Sequence, residues 1–247
     1  MKKLISTMEL FVGLSFKRMM AVLGGMAAVE LVLFWIFGLS RKAYSFENAV
    51  KSSFIPVVFG IGFAAMFFAL AWTTGKGSQE LYTMQRLSVS ERAAIAVQFV
   101  YYLFCFTLFV LTQIVLLLIM ARLFEGGRFF SEGPQGLFVD FRINSFLHKL
   151  FPMWTTLPSI NKAFCILCSA IAAVNMNVLL RHGKAPIASV ILATMTGFYW
   201  AAIGNIDYLD YSQLFFSIFY IPLIVWVVYY ALSIAHKGVS TEDRLWD

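Results

Sequence analysis

Charge is scarce in this sequence. Of 247 residues only 13% are Asp, Glu, Lys or Arg, about half the share of an ordinary globular domain. That leaves too little polar surface to coat a water-soluble sphere. A soluble enzyme, a disordered chain and a nucleic-acid-binding domain are all poor fits, so no nucleic-acid partner is expected. Cysteine is also sparse: Cys105, Cys165 and Cys168 lie inside apolar runs, forming neither an exposed disulfide framework nor a tetrahedral metal set. The three histidines, His148, His182 and His236, share no metal spacing, so no metal is expected. A phosphate-binding loop is missing too. Gly75-Lys76-Gly77 lacks the earlier glycine, and Gly77 stands where a hydroxyl should meet magnesium. No internal repeat is visible, and no polar segment is long enough to fold as a soluble domain.

What is abundant is apolar. Hydrophobic residues make up 60% of the chain, with 26 Phe and 11 Met, and mean hydropathy is +0.79. Six runs approach the ~20 helical residues needed to cross a bilayer: 20–38, 54–72, 93–121, 160–180, 186–205 and 212–235. They are continuously apolar, unlike the alternating strands of a barrel, so the expected fold is all-α. The chain reads as one membrane domain over 1–247, with no cleaved signal peptide.

Six spans place both termini on one side. The segments 1–19, 73–92, 181–185 and 236–247 carry the larger share of Lys and Arg, which predicts cytoplasmic termini in a cell-membrane protein. The net charge of +6 then reflects loops facing anionic lipid. Within 1–19, Ile5, Met8, Val12, Phe16 and Met19 recur at helical spacing. This predicts a helix lying in the cytoplasmic interface, or else an extension of the first span. On the outer side, 137–151 reads as a half-buried helix that could cap an exit, or as a lipid-surface loop.

Segment 73–92 has a pattern of its own. Gly75 and Gly77 loosen the exit from span two. Ser78 can cap a short helix bearing Leu81, Tyr82 and Met84, with Arg86 at its end. Ser88 and Glu91 then form a capping box that starts a new helix into span three. The stretch Glu80-Leu81-Tyr82-Thr83-Met84-Gln85-Arg86-Leu87-Ser88-Val89-Ser90-Glu91-Arg92 resembles the coupling segment of ABC-2-type transporter permeases. In that family it typically reads leucine, proline or a small residue, valine or isoleucine, serine, then a charge. Here Ser88 takes the place often held by proline. Length, span count and N-terminal helix are similar to the family over the whole chain, in particular to small permeases of bacterial peptide and toxin exporters such as those for phenol-soluble modulins.

The resemblance implies that a separate ATPase subunit docks on a cytoplasmic coupling helix, with Leu81, Tyr82, Met84, Arg86, Leu87 and Glu91 as candidate contacts. It also implies that ATP and Mg bind the partner chain and that no cofactor binds this one. A second permease copy, or a related permease, would complete the path. The cargo would be an amphipathic peptide or another hydrophobic molecule. The plain alternative for 73–92 is a turn between spans, solvated or resting on lipid headgroups.

Glu30 is the one charged residue near the middle of a span. Burying it there costs at least ~2.5 kcal/mol on insertion scales. It reads either as part of a translocation path or as a protonated or hydrogen-bonded carboxyl at a helix–helix contact, satisfied by Gln98, Gln113, Asn175 or Asn177. Asn175 and Asn177 are two apart and so face different sides of span four, one towards a neighbouring helix and the other towards a cavity. Cys165 and Cys168, one turn apart in an apolar helix, suit close helix packing better than redox chemistry. An intramembrane enzyme finds no support, since no paired acids and no nucleophile with a base lie at matched depth. A non-catalytic scaffold or sensor is the remaining alternative to transport.

Overall fold

A computed structural model describes residues 2–39, 46–72, 90–126, 156–202, 224–225 and 228–229. Among them every element is a helix and no strand occurs. Helix α1 runs Lys2–Leu33 and continues as a π-helical turn, Phe34–Leu39. Helices α2 (Phe46–Ser52) and α3 (Ile55–Ala71) follow. Then come α4 (Glu91–Gly126), α5 (Thr156–Arg181) and α6 (Ile187–Ala202). Three helices are long and apolar enough to cross a membrane: Ile5–Leu39, Glu91–Phe124 and Ala163–Arg181. The α2–α3 pair makes a fourth if its bend is one broken span. The fifth expected span appears as the shorter α6. The sixth, 212–235, lies outside the described residues except at four helical positions. So does the outer segment 137–151.

The first departure from expectation is α1. Segment 1–19 is not a separate helix lying across the membrane surface. It is continuous with the first span, so it extends that span instead. One stripe explains why. Thr7, Phe11, Ser15, Met19, Leu23, Met26, Glu30 and Phe34 are all buried, at three- or four-residue steps on one face. That face packs against α3 and α4 along its length. Of the apolar set noted at helical spacing, Ile5, Met8 and Phe16 are about half exposed and Met19 is buried.

The second departure is α2. Positions 46–52 carry Glu47 and Lys51, paired at 2.7 Å, and read as an outer loop. They fold as a helix whose Phe46, Ala49 and Val50 are buried. Phe46 bridges the π turn and the end of α4, with ring centroids 6.1 Å from Phe34 and 5.9 Å from Phe124. The helix cannot run straight into α3. Pro56 has no N–H, and its ring would clash with the carbonyl of Ser52. Phe54 takes a left-handed conformation at the join (φ 56°), and the axis bends by 53°.

Packing across the middle is aromatic. Phe59 stacks on Phe109 at 5.3 Å, and Phe63 contacts Phe106 at 5.4 Å. Gly62 lets α3 approach closely, since a Cβ there would meet Met26 Sδ at 2.9 Å. Helix α5 ends in a Schellman turn at Gly183 (φ 66°), with Lys184 N–H donating to Leu179 O and Gly183 N–H to Leu180 O. The turn delivers the chain directly to α6.

The exterior is more apolar than the interior is uniform. Trp35, Ile61, Phe104 and Ile187 are well exposed, whereas Glu30, Gln98, Gln113, Asn177 and Ser169 are fully buried. Apolar side chains outside and selected polar ones inside is the arrangement a bilayer solvent favours.

Candidate functional site

The polar residues collect in a few small clusters between helices. The largest is centred on Tyr102. Its hydroxyl donates to the carbonyl of Leu70 at 2.6 Å. It accepts from Gln98 Nε2 at 2.8 Å and from Asn177 Nδ2 at 3.1 Å. Arg181 Nη2 donates to Gln98 Oε1 at 2.8 Å. Gln98 and Tyr102 stand at i, i+4 on α4, and Asn177 and Arg181 stand at i, i+4 on α5. Each pair therefore shares a face, and the two faces meet.

This cluster sits where α3 ends and α4 begins. The last carbonyls of a helix have no partner within it, and here side chains supply them. Tyr102 takes Leu70 O, and Arg18 Nη1 takes Trp72 O at 2.9 Å, a cation where the helix dipole favours one. Helix α4 starts at Glu91 rather than two or three residues earlier. Its cap is Ser90, whose Oγ accepts from Ala93 N–H at 3.4 Å; Ser88, the expected cap, lies outside the described residues. Glu91 Oε1 meets His182 Nε2 at 2.8 Å, joining the first turn of α4 to the end of α5. Nearby, Ser15 Oγ donates to Phe11 O at 2.8 Å and so must accept from Tyr101 Oη at 2.7 Å. That bond ties α1 to α4.

A second cluster lies farther along α1 and α4. Gln113 Nε2 donates to Glu30 Oε2 at 2.9 Å. Both side chains are fully buried. Neither Glu30 Oε1 nor Gln113 Oε1 has a hydrogen-bond partner among the described residues. A third contact joins α5 to α6 through Asn175 Nδ2 and Ser189 Oγ at 2.8 Å.

The five intramembrane candidates are thus divided among different helix contacts. Glu30 is partnered by Gln113, not by Gln98, Asn175 or Asn177. Asn175 and Asn177 do face different sides of α5, but both meet helices, α6 and α4 respectively. All five are enclosed, at 0–1% exposure. Of the six docking candidates only Glu91 is described, on His182; Leu81, Tyr82, Met84, Arg86 and Leu87 lie outside the described residues. Cys105, Cys165 and Cys168 are buried free thiols.

Sequence reasoning passed over Tyr102 and Arg181. The available signal was the matched i, i+4 spacing of Gln98 with Tyr102 and Asn177 with Arg181. A cleft of about 360 Å³ also opens between α3 and α6, lined by Gly60, Phe63, Ala64, Phe67, Val190 and Gly197 among others. The chain matches no family model, and no curated protein and no solved structure matches it.

Proposed function

We propose that this chain is the membrane-spanning permease subunit of an ATP-driven exporter, powered by a separate ATPase and moving an amphipathic peptide or other hydrophobic cargo. The observation that carries this reading is the construction around segment 73–89. The helix entering it is held at its last carbonyls by Arg18 and Tyr102. The helix leaving it is held by Glu91 on His182 and by Gln98 on Arg181. A segment with both flanks fastened to the bundle can pass a partner's movement into the spans, where a slack loop would absorb it. The sequence of that segment, with its likeness to a coupling helix, adds the kind of partner. A second copy or a related permease would complete the path, because Glu30, Gln98, Gln113, Asn175 and Asn177 are enclosed between helices of their own chain. The apolar walls of the α3–α6 cleft suit alkyl or aromatic groups on a cargo.

Co-expression with an ABC ATPase encoded beside this reading frame tests the proposal. The two chains co-purify, and Arg86→Glu or Leu81→Asp lowers both recovery of the complex and its ATP hydrolysis. Undiminished binding and hydrolysis in both variants would refute docking on this segment.

A further inference from the structure

The Glu30–Gln113 contact has an unusual pattern of satisfied and unsatisfied atoms. Each side chain carries two polar atoms, and one atom of each is used in the single bond between Gln113 Nε2 and Glu30 Oε2. The two left over, Glu30 Oε1 and Gln113 Oε1, are both oxygens, both buried, and both without a partner among the described residues. If Glu30 is a carboxylate, two acceptors are stranded in the bundle, one on each member of a hydrogen-bonded pair. A buried acceptor left without a partner keeps the full cost of its desolvation.

A single hydrogen removes both defects. A carboxylic acid and a primary amide form a closed ring of two antiparallel hydrogen bonds, N–H to carboxyl oxygen and O–H to amide oxygen. The bond present is the first of these, and the two stranded oxygens are the pair the second would join. Turning the amide over does not remove the need. Gln113 Oε1 would then face the carboxyl, and only a carboxyl hydrogen can lie between two oxygens.

We propose that Glu30 and Gln113 form a proton-binding site that clasps α1 to α4. The ligand is one proton, held on Glu30 and shared with the Gln113 amide oxygen. On release the O–H bond breaks, its electron pair stays on the carboxylate, and the proton passes to water entering between the helices. The stranded oxygens then repel, and the α1–α4 contact loosens at this level.

The surroundings leave the proton as the matching charge. Glu30 makes no ion pair among the described residues. Helix α3, which packs beside it, contains no titratable side chain. On α4 the charges Glu91, Arg92, Arg122 and Glu125 stand in or near the end turns, and Tyr101, Tyr102 and Cys105 precede Gln113 by eight residues or more, about 12 Å along the axis. The π turn carries none either. That turn is a second observation. It begins at Phe34, one turn beyond Glu30, and such changes of winding recur at functional sites. It places the irregular part of α1 beside the clasp. The site stands independently of any ATPase partner.

Infrared spectroscopy of the full chain in lipid nanodiscs tests it. At neutral pH the wild type shows the carbonyl band of an un-ionised carboxylic acid. Glu30→Gln removes that band, and Gln113→Ala keeps it but shifts it, since the acid loses its acceptor. The sign of the pH effect follows from the ring needing the neutral acid. Wild-type thermal stability falls as pH rises and the band bleaches, whereas Glu30→Gln, which retains an amide–amide ring, does not follow that fall. Should Glu30→Gln fail to fold, the shift in Gln113→Ala decides. A spectrum without an acid band, a band moved by neither substitution, or the same pH profile in wild type and Glu30→Gln would overturn the proposal.

Discussion

Around Tyr102 every hydrogen-bonding position of the hydroxyl is filled: one proton donated to Leu70, two lone pairs accepting from Gln98 and Asn177. Farther up the same helix, Glu30 and Gln113 share one bond and leave two oxygens over. Both regions are buried, and both join α4 to neighbours. They differ in what completes them. The Tyr102 hydroxyl is complete with protein atoms alone and joins three helices, while Arg181 Nε at the edge of the same cluster has no hydrogen-bond partner among the described residues. The Glu30 pair needs one more hydrogen, so its state depends on what reaches it. A satisfied set of buried hydrogen bonds rigidifies the helices it joins.

Three substitutions probe that difference, and the largest effect falls on the closed cluster. Tyr102→Phe keeps the ring but strands Leu70 O, Gln98 Nε2 and Asn177 Nδ2. Two interhelical bonds at an average of ~0.6 kcal/mol each, with a third bond lost inside α4, give a loss of at least about 1 kcal/mol, measurable as a lowered unfolding midpoint in mild detergent. A midpoint equal to wild type would erase the contrast. Ser15→Ala removes one interhelical bond, the acceptor for Tyr101, along with the bond to Phe11 O inside α1, and a loss of ~0.6 kcal/mol is expected by the same measurement. Least effect is expected from the double change Glu30→Leu with Gln113→Leu. Replacing both members of an incomplete pair by apolar residues is nearly neutral or stabilising, so the midpoint should hold or rise. A large fall would mean the pair contributes stability as the Tyr102 cluster does.

Much of the helical layout was legible from hydropathy. The apolar runs at 54–72, 93–121 and 160–180 match α3, α4 and α5 within a few residues. Glu30 stood out because a charge within such a run is conspicuous. What hydropathy could not show is which face of a helix looks inward, because in a membrane protein both faces are apolar. That is why the inward stripe of Thr7, Phe11 and Ser15 was not legible in 1–19. Helix α2 escaped notice because its charges resemble those of a loop, while its buried face is only three residues wide. Tyr102 was hidden among aromatic neighbours, and Arg181 was counted with the loop charges. Their roles depend on partners 75 and 83 residues away in the chain, a relation no local window contains.

The cap on α3 also bears on the order in which the chain can be assembled. Arg18, which covers Trp72 O, is already made when α3 emerges. Tyr102, which covers Leu70 O, follows 32 residues later. An uncovered carbonyl within the membrane is costly, and Leu70 O has its side-chain partner only once α4 lies beside α3. A chain arrested before Tyr102 would display an open helix end, the kind of exposed polar backbone by which an incomplete membrane protein can be told from a finished one.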